Sequence, residues 1–150
     1  METIKEAKIY LRSNLEKGSD CPCCNQKVKS YRRNLNYAMS LCLIKLSGMD
    51  QKFHHVSKIV EGISNTGTAD FSKLKYWGLI QEKENLDTSK KNSGFWKITE
   101  SGINFAQNKT NLPKYVTIYN KINLGFSSEE INIIEALGYK FNYYDLINNL

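Results

Sequence analysis

Thr66–Gly102, TGTADFSKLKYWGLIQEKENLDTSKKNSGFWKITESG, is the stretch on which the fold turns. Phe71, Leu74 and Trp77 recur at three-residue spacing, which predicts one apolar stripe on a helix that Thr68 can cap. Gly78 follows at once and can take the left-handed conformation that stops a helix. Leu79 and Ile80 lead into a strand. Apart from Leu86, residues 85–94 are turn-forming and charged types, the chemistry of a hairpin tip. Phe95, Trp96 and Ile98 predict the returning strand, and Thr99 an N-cap for the helix after it.

Upstream, Val56, Ile59, Val60 and Ile63 are spaced for a helix over 52–63, and Ser64–Gly67 break it as the turn of a helix-turn-helix does. Leu35, Met39, Cys42 and Leu46 share one face of a helix expected over 33–47, with Cys42 as a buried apolar residue. Ile4, Ala7, Leu11 and Leu15 predict an amphipathic helix over 2–17, closed by Gly18. Downstream, Thr99–Asn108 reads as a helix with Ile103, Phe105 and Ala106 inward, and Pro113 ends any continuation. YVTIYNKI (115–122) alternates as a strand does, and Ser127 with Glu130 predicts a capping box for a helix over 128–137 that stops at Gly138. The aromatic tail YKFNYYDLINNL reads as core closure, with base stacking as the alternative.

Helix, strand, charged loop, strand is the second half of a winged helix-turn-helix. GLIQEK, a basic turn and WKITESG resemble the recognition-helix and wing segment of winged-helix transcription regulators. A plain structural hairpin beside a core helix is the competing reading, and winged helices also serve as protein-binding modules. The expected class is therefore α+β: a winged helix-turn-helix core with an N-terminal helix (1–20), a winged-helix domain carrying a C-x-x-C knuckle (21–110), and a C-terminal strand–helix extension packed on the core (111–150).

The net charge of +6 is unevenly placed. In residues 1–20 Lys5, Lys8, Arg12 and Lys17 cancel Glu2, Glu6, Glu16 and Asp20, and residues 101–150 cancel likewise. The excess sits in 21–100, the pattern of a nucleic-acid footprint or of a solvated basic surface. Lys27, Lys29, Arg32 and Arg33 around Tyr31 suit phosphate contact, which positions a protein on a duplex without reading its sequence. On the 68–77 helix Ser72, Lys73, Lys75 and Tyr76 are left to face outward toward base edges or phosphate, and Asp70 suits the helix N-terminus. Lys90 and Lys91 at the wing tip suit backbone or minor-groove contact.

Cys21 and Cys24 have the spacing of half a zinc site, and Pro22 suits the tight knuckle. The other half is missing: no second C-x-x-C exists, and Cys23, Cys42, His54 and His55 are the only soft ligands left. Zinc within one chain with His54 and His55 reaching back, a bare thiol knuckle, a site shared between two chains, and redox chemistry all stay open. Zinc is the sole cofactor expectation. No apolar run is long enough for a membrane span and no apolar core marks a signal peptide, so an intracellular, reducing compartment is expected.

CPCC (21–24), VKSYRRNLN (28–36), DFSKLKYWGLI (70–80), GFWKIT (94–99) and EALG (135–138) resemble a family of small phage-encoded proteins. That resemblance implies a phage origin and a bacterial cytoplasm rather than an activity, and it marks Cys21 and Cys24. Two adjacent histidines, no Gly-rich phosphate loop and no paired carboxylates leave the usual catalytic chemistries short of parts, so no enzyme is expected. The expected function is a duplex-binding transcriptional regulator using helix 68–77 and wing 85–94. The alternatives are a winged-helix module that inhibits or redirects a host nucleic-acid or defence complex, and a zinc-stabilised assembly adaptor. Expected partners are double-stranded DNA, a second copy through the N-terminal helix, or a host protein, with no membrane partner.

Overall fold

Thr3 opens the first helix: its hydroxyl accepts from the Glu6 N–H at 3.1 Å, and α1 runs Ile4–Ser13. The computed structural model describes residues 3–63 and 68–150, and the mixed α+β class holds in it. Two short strands, β1 (Ser19–Asp20) and β2 (Lys27–Val28), precede β3 (Tyr31–Asn34). Asn36 caps α2 (Tyr37–Ser47), its side-chain oxygen accepting from the Met39 N–H at 2.9 Å. Then come β4 (His54–His55), α3 (Val56–Val60) and α4 (Thr68–Ser72), which tightens into a 3-10 turn over Lys73–Trp77. β5 (Ile80–Glu82) and β6 (Phe95–Ile98) flank the long polar loop, and α5 (Glu100–Ala106) follows. The chain closes with β7 (Leu112–Pro113), β8 (Tyr115–Tyr119), β9 (Ile122–Phe126), β10 (Glu130–Ile131), α6 (Ile133–Leu137) and α7 (Tyr143–Asn148).

These elements fall into two compact units. The larger comprises Leu35–Lys114 and Ser128–Leu150. Its centre is α2, which buries Ala38, Met39, Cys42, Leu43, Ile44 and Leu46 and lies against α3, α4, α5, α6 and β6. Being apolar on nearly all sides, α2 has to be enclosed. The antiparallel sheet of this unit has the order β4-β6-β5, with His54 opposite Trp96 and Ile80 opposite Ile98. The two-residue side-chain period puts Ile80, Trp96 and Ile98 on the buried face and His55, Phe95 and Gln81 on the exposed one. Phe71 meets Trp96 edge-on at 5.8 Å, and the Trp77 indole N–H donates to the Pro113 carbonyl at 2.8 Å.

The smaller unit comprises the chain through Asn34 and Tyr115–Ser127. Its antiparallel sheet has the order β3-β8-β9, with Arg32 opposite Thr117 and Arg33 opposite Val116. Val116 and Ile118 are buried while β3 and β9 are exposed throughout. The β1–β2 hairpin carries the cysteine knuckle on its turn.

Where sequence and structure agree, they do so on apolar spacing. Leu35, Met39, Cys42 and Leu46 are buried, as are Phe71, Leu74 and Trp77, and Gly78 ends its turn at φ 72°. Thr99 caps α5, accepting from the Gly102 N–H at 3.1 Å. The differences have local causes. The helix expected over 33–47 starts at Tyr37, because Tyr31–Asn34 are taken as a strand by β8. The strand expected over 115–122 turns back at Asn120 and Lys121, whose φ values of 46° and 65° suit a two-residue hairpin loop. The capping box lies at Asn132 and Glu135; Ser127 instead accepts from the Tyr115 N–H, and Glu130 pairs with Pro113. The knuckle and basic run, expected in one domain with residues 68–94, belong to the other compact unit. The expected turn Ser64–Gly67 and the capping side chain of Thr68 lie outside the described residues. No helix among the described residues is long and apolar enough to cross a membrane.

Candidate nucleic-acid interface

Folding redistributes the charge that the sequence places in 21–100. The smaller unit holds nine of the 21 basic residues and four of the 15 acidic ones, a net of +5, which leaves +1 for the larger unit. The positive field therefore goes with the knuckle and the β3-β8-β9 sheet rather than with the short helix and its loop.

On that sheet Arg32 and Arg33 point to opposite faces, as neighbours on a strand must. The Arg32 guanidinium lies 3.8 Å from the centroid of the Tyr115 ring, a cation–π contact that fixes an otherwise mobile side chain. Lys29 sits with its ammonium 5.8 Å from the Tyr31 ring, and its stem crowds Gly18, which adopts φ 87°. Lys27 is exposed on β2. Lys27, Lys29, Arg32 and Arg33 thus fall in one small unit, with Lys27 on β2, Lys29 between the strands, and Arg32 and Arg33 on β3. Tyr115 gave no local signal in the sequence, because it meets β3 only through long-range pairing.

In the larger unit the expected reading face is less open. Lys75 is exposed, but Ser72, Lys73 and Tyr76 are half-buried. The Lys73 and Lys75 ammonium groups lie 6.0 and 5.4 Å from the Tyr76 ring centroid. The Tyr76 hydroxyl is enclosed and finds no hydrogen-bond partner among the described residues. Lys90 and Lys91 are exposed at the loop tip, where Lys90 N–H donates to the Asp87 carbonyl at 3.2 Å. Asp87 Oδ1 accepts from the Ser89 hydroxyl at 2.6 Å and its N–H at 3.0 Å, bonds that hold the carboxyl below its ordinary range. Sequence reading missed the exposed face of the β4-β6-β5 sheet. There Lys83 lies 5.6 Å from the Phe95 ring, and His55 meets the same ring edge-on.

The knuckle is a tight turn. Cys21 N–H donates to Gln26 O at 2.7 Å, Asn25 N–H to Cys21 O at 2.9 Å, and Asn25 takes φ 62°. The Cys23 N–H donates to Cys21 Sγ at 3.4 Å; with the Cys24 N–H and thiol beside it, this holds the Cys21 thiol below its ordinary range. His54 and His55 are in the larger unit and engaged locally. His54 Nε2 is 2.8 Å from Asp50 Oδ1, and His55 Nδ1 is 2.8 Å from the Ser57 hydroxyl. No group of three or more His, Cys, Asp or Glu able to hold a metal occurs among the described residues. Comparison with known proteins gives no matching family model, curated protein or solved structure.

Proposed function

We propose that the chain is a winged-helix protein that binds double-stranded DNA, acting as a transcriptional regulator of the kind small phage-encoded proteins supply, in a bacterial cytoplasm. The observation that carries this is the connectivity of the larger unit. A helix, a short strand, two helices and a hairpin whose second strand pairs back to the first, in the order β4-β6-β5, is how a winged helix presents a helix and a loop to a duplex. Lys75 on the short turn and Lys83, Lys90 and Lys91 on the loop are exposed cations there. The net +5 of the smaller unit adds sequence-independent attraction to phosphate, with Lys27, Arg32 and Arg33 its exposed contacts.

A second reading is favoured by the half-burial of Lys73 and Tyr76 and by the near-neutral larger unit. In it the winged helix is a protein-binding module that inhibits or redirects a host nucleic-acid or defence complex. Binding to random duplex DNA across a salt series separates the two. A DNA binder loses affinity with a log–log slope of about 0.9 per phosphate contacted. Absence of duplex binding at low salt overturns the first reading and leaves the second.

A further inference from the structure

We propose that two copies of this chain share one zinc ion, each copy supplying Cys21 and Cys24 from its knuckle. The inference does not depend on DNA binding.

The turn that carries the thiols is tightly held. Cys21 and Cys24 stand at C-x-x-C spacing between paired strands, and the turn is held by the Cys21–Gln26 and Asn25–Cys21 backbone bonds. The Cys23 N–H pointing at Cys21 Sγ is the kind of donor that supports a thiolate ligand. Both thiols are accessible, Cys24 fully and Cys21 in part.

A structural zinc takes four ligands in a tetrahedron, and the knuckle offers two at the required spacing. Nothing else in the described chain completes the set. Cys42 is fully buried in α2, and no group of three or more His, Cys, Asp or Glu able to hold a metal occurs among the described residues. An identical half-site on a second chain supplies two more thiolates, and a two-fold axis through the metal satisfies the geometry. The same unit exposes apolar surface that a lone chain leaves in water. Ile4 and Ile9 of α1 are 70% and 55% exposed, and Ile122 and Leu124 of the edge strand β9 are 56% and 48% exposed. A half-site and unburied apolar side chains in one small unit both call for the same occupant, a second copy.

The test is a cobalt(II) titration of the reduced, metal-free full chain, with light scattering on the same samples. The sulfur-to-cobalt charge-transfer band should saturate at about one metal per two chains, as thiols deprotonate on binding. The dimer should form in step and dissociate with chelator. Cys23→Ser should keep both properties, while Cys21→Ser and Cys24→Ser lose both. Should those variants misfold, the wild-type stoichiometry still decides. Saturation at one metal per chain without dimers, or no cobalt binding by the wild-type chain, overturns the proposal.

Discussion

The α-carbon of Gly102 faces the carbonyl of Leu79 so closely that no side chain fits between them. A Cβ at position 102 would overlap the Leu79 oxygen and press on Ile98. The first turn of α5 is thereby seated on the entry to the β5–β6 hairpin. Thr99 locks the same corner, its hydroxyl donating to Gly78 O at 2.6 Å while accepting from the Gly102 N–H. Gly102→Ala should therefore cost about 2–4 kcal/mol, because the clash is with backbone and cannot be relieved by a rotamer. Trp77 and Trp96 both lie in this unit, so the urea midpoint by tryptophan fluorescence reads the effect. An unchanged midpoint would mean that α5 is not docked there.

A buried bond links the C-terminal helix to the core: the Tyr143 hydroxyl donates to Ala106 O at 2.6 Å, joining α7 to the end of α5. Tyr143→Phe removes the donor and leaves that carbonyl unpaired, for a loss of about 1–2 kcal/mol. Burial, with the nearby Tyr144 phenol second, raises the Tyr143 pKa above its ordinary 10.0. The folded state then holds the phenol proton more tightly than the unfolded chain does. Its contribution is complete below about pH 10 and is lost as pH rises through the elevated folded value. Denaturant unfolding at pH 8 and above pH 10 should show wild type losing stability more steeply than Tyr143→Phe. Equal slopes would reject the assignment.

How much of this was legible depended on whether the signal was local. Phe71, Leu74, Trp77 and Gly78 announced themselves, because helical spacing and a left-handed stop act within a few residues. Thr99 did so for the same reason. Tyr31–Asn34 did not read as a strand, since YRRN has no alternation and pairs with Tyr115–Tyr119, far along the chain. That crossing also defeated the charge argument. A window of sequence is not a unit of structure, and Lys27, Lys29, Arg32 and Arg33 left the segment they were counted in. The capping box slipped five residues because Ser127/Glu130 and Asn132/Glu135 both fit the local pattern, and only the β7–β10 pairing decides between them. The knuckle was legible as a C-x-x-C turn, and the β1–β2 hairpin carries it.

On the DNA-binding reading, the two units should contribute separately to salt dependence. Lys90→Ala/Lys91→Ala and Lys27→Ala/Arg33→Ala should each lower the log–log slope by about 1–2. Arg32 is avoided because its removal also strips packing from Tyr115. Lys73→Ala should change the slope less than Lys75→Ala, since Lys73 is half-buried and Lys75 exposed. Anisotropy titrations of random duplex at several salt concentrations measure all four. A slope untouched by both double substitutions would remove duplex DNA as the partner.

The thiols should divide by burial. In reduced, metal-free native protein Cys21, Cys23 and Cys24 are partly or fully accessible and Cys42 is sealed within α2. Brief alkylation read by peptide mass spectrometry should modify the first three and spare Cys42 until denaturant is added. Early labelling of Cys42 would place α2 outside the core.

Lys45 ends α3 from outside it. Its ammonium donates to Lys58 O and Glu61 O, each at 2.8 Å. A helix of five residues cannot sustain itself, and a cation on its last carbonyls satisfies them while complementing the negative end of its dipole. The stem of Lys45 also lines a groove of about 490 Å³ bounded by Ile44, Ile63, Leu146 and Leu150. Lys45→Met keeps that apolar stem and deletes only the charge, so packing is preserved while both carbonyls turn to water. The expected loss is about 1–2 kcal/mol, with hydrogen exchange accelerated at α3 amides and unchanged at α6. Unchanged α3 exchange would show that Val56 and Ile59, buried against α2, hold the helix without the cap.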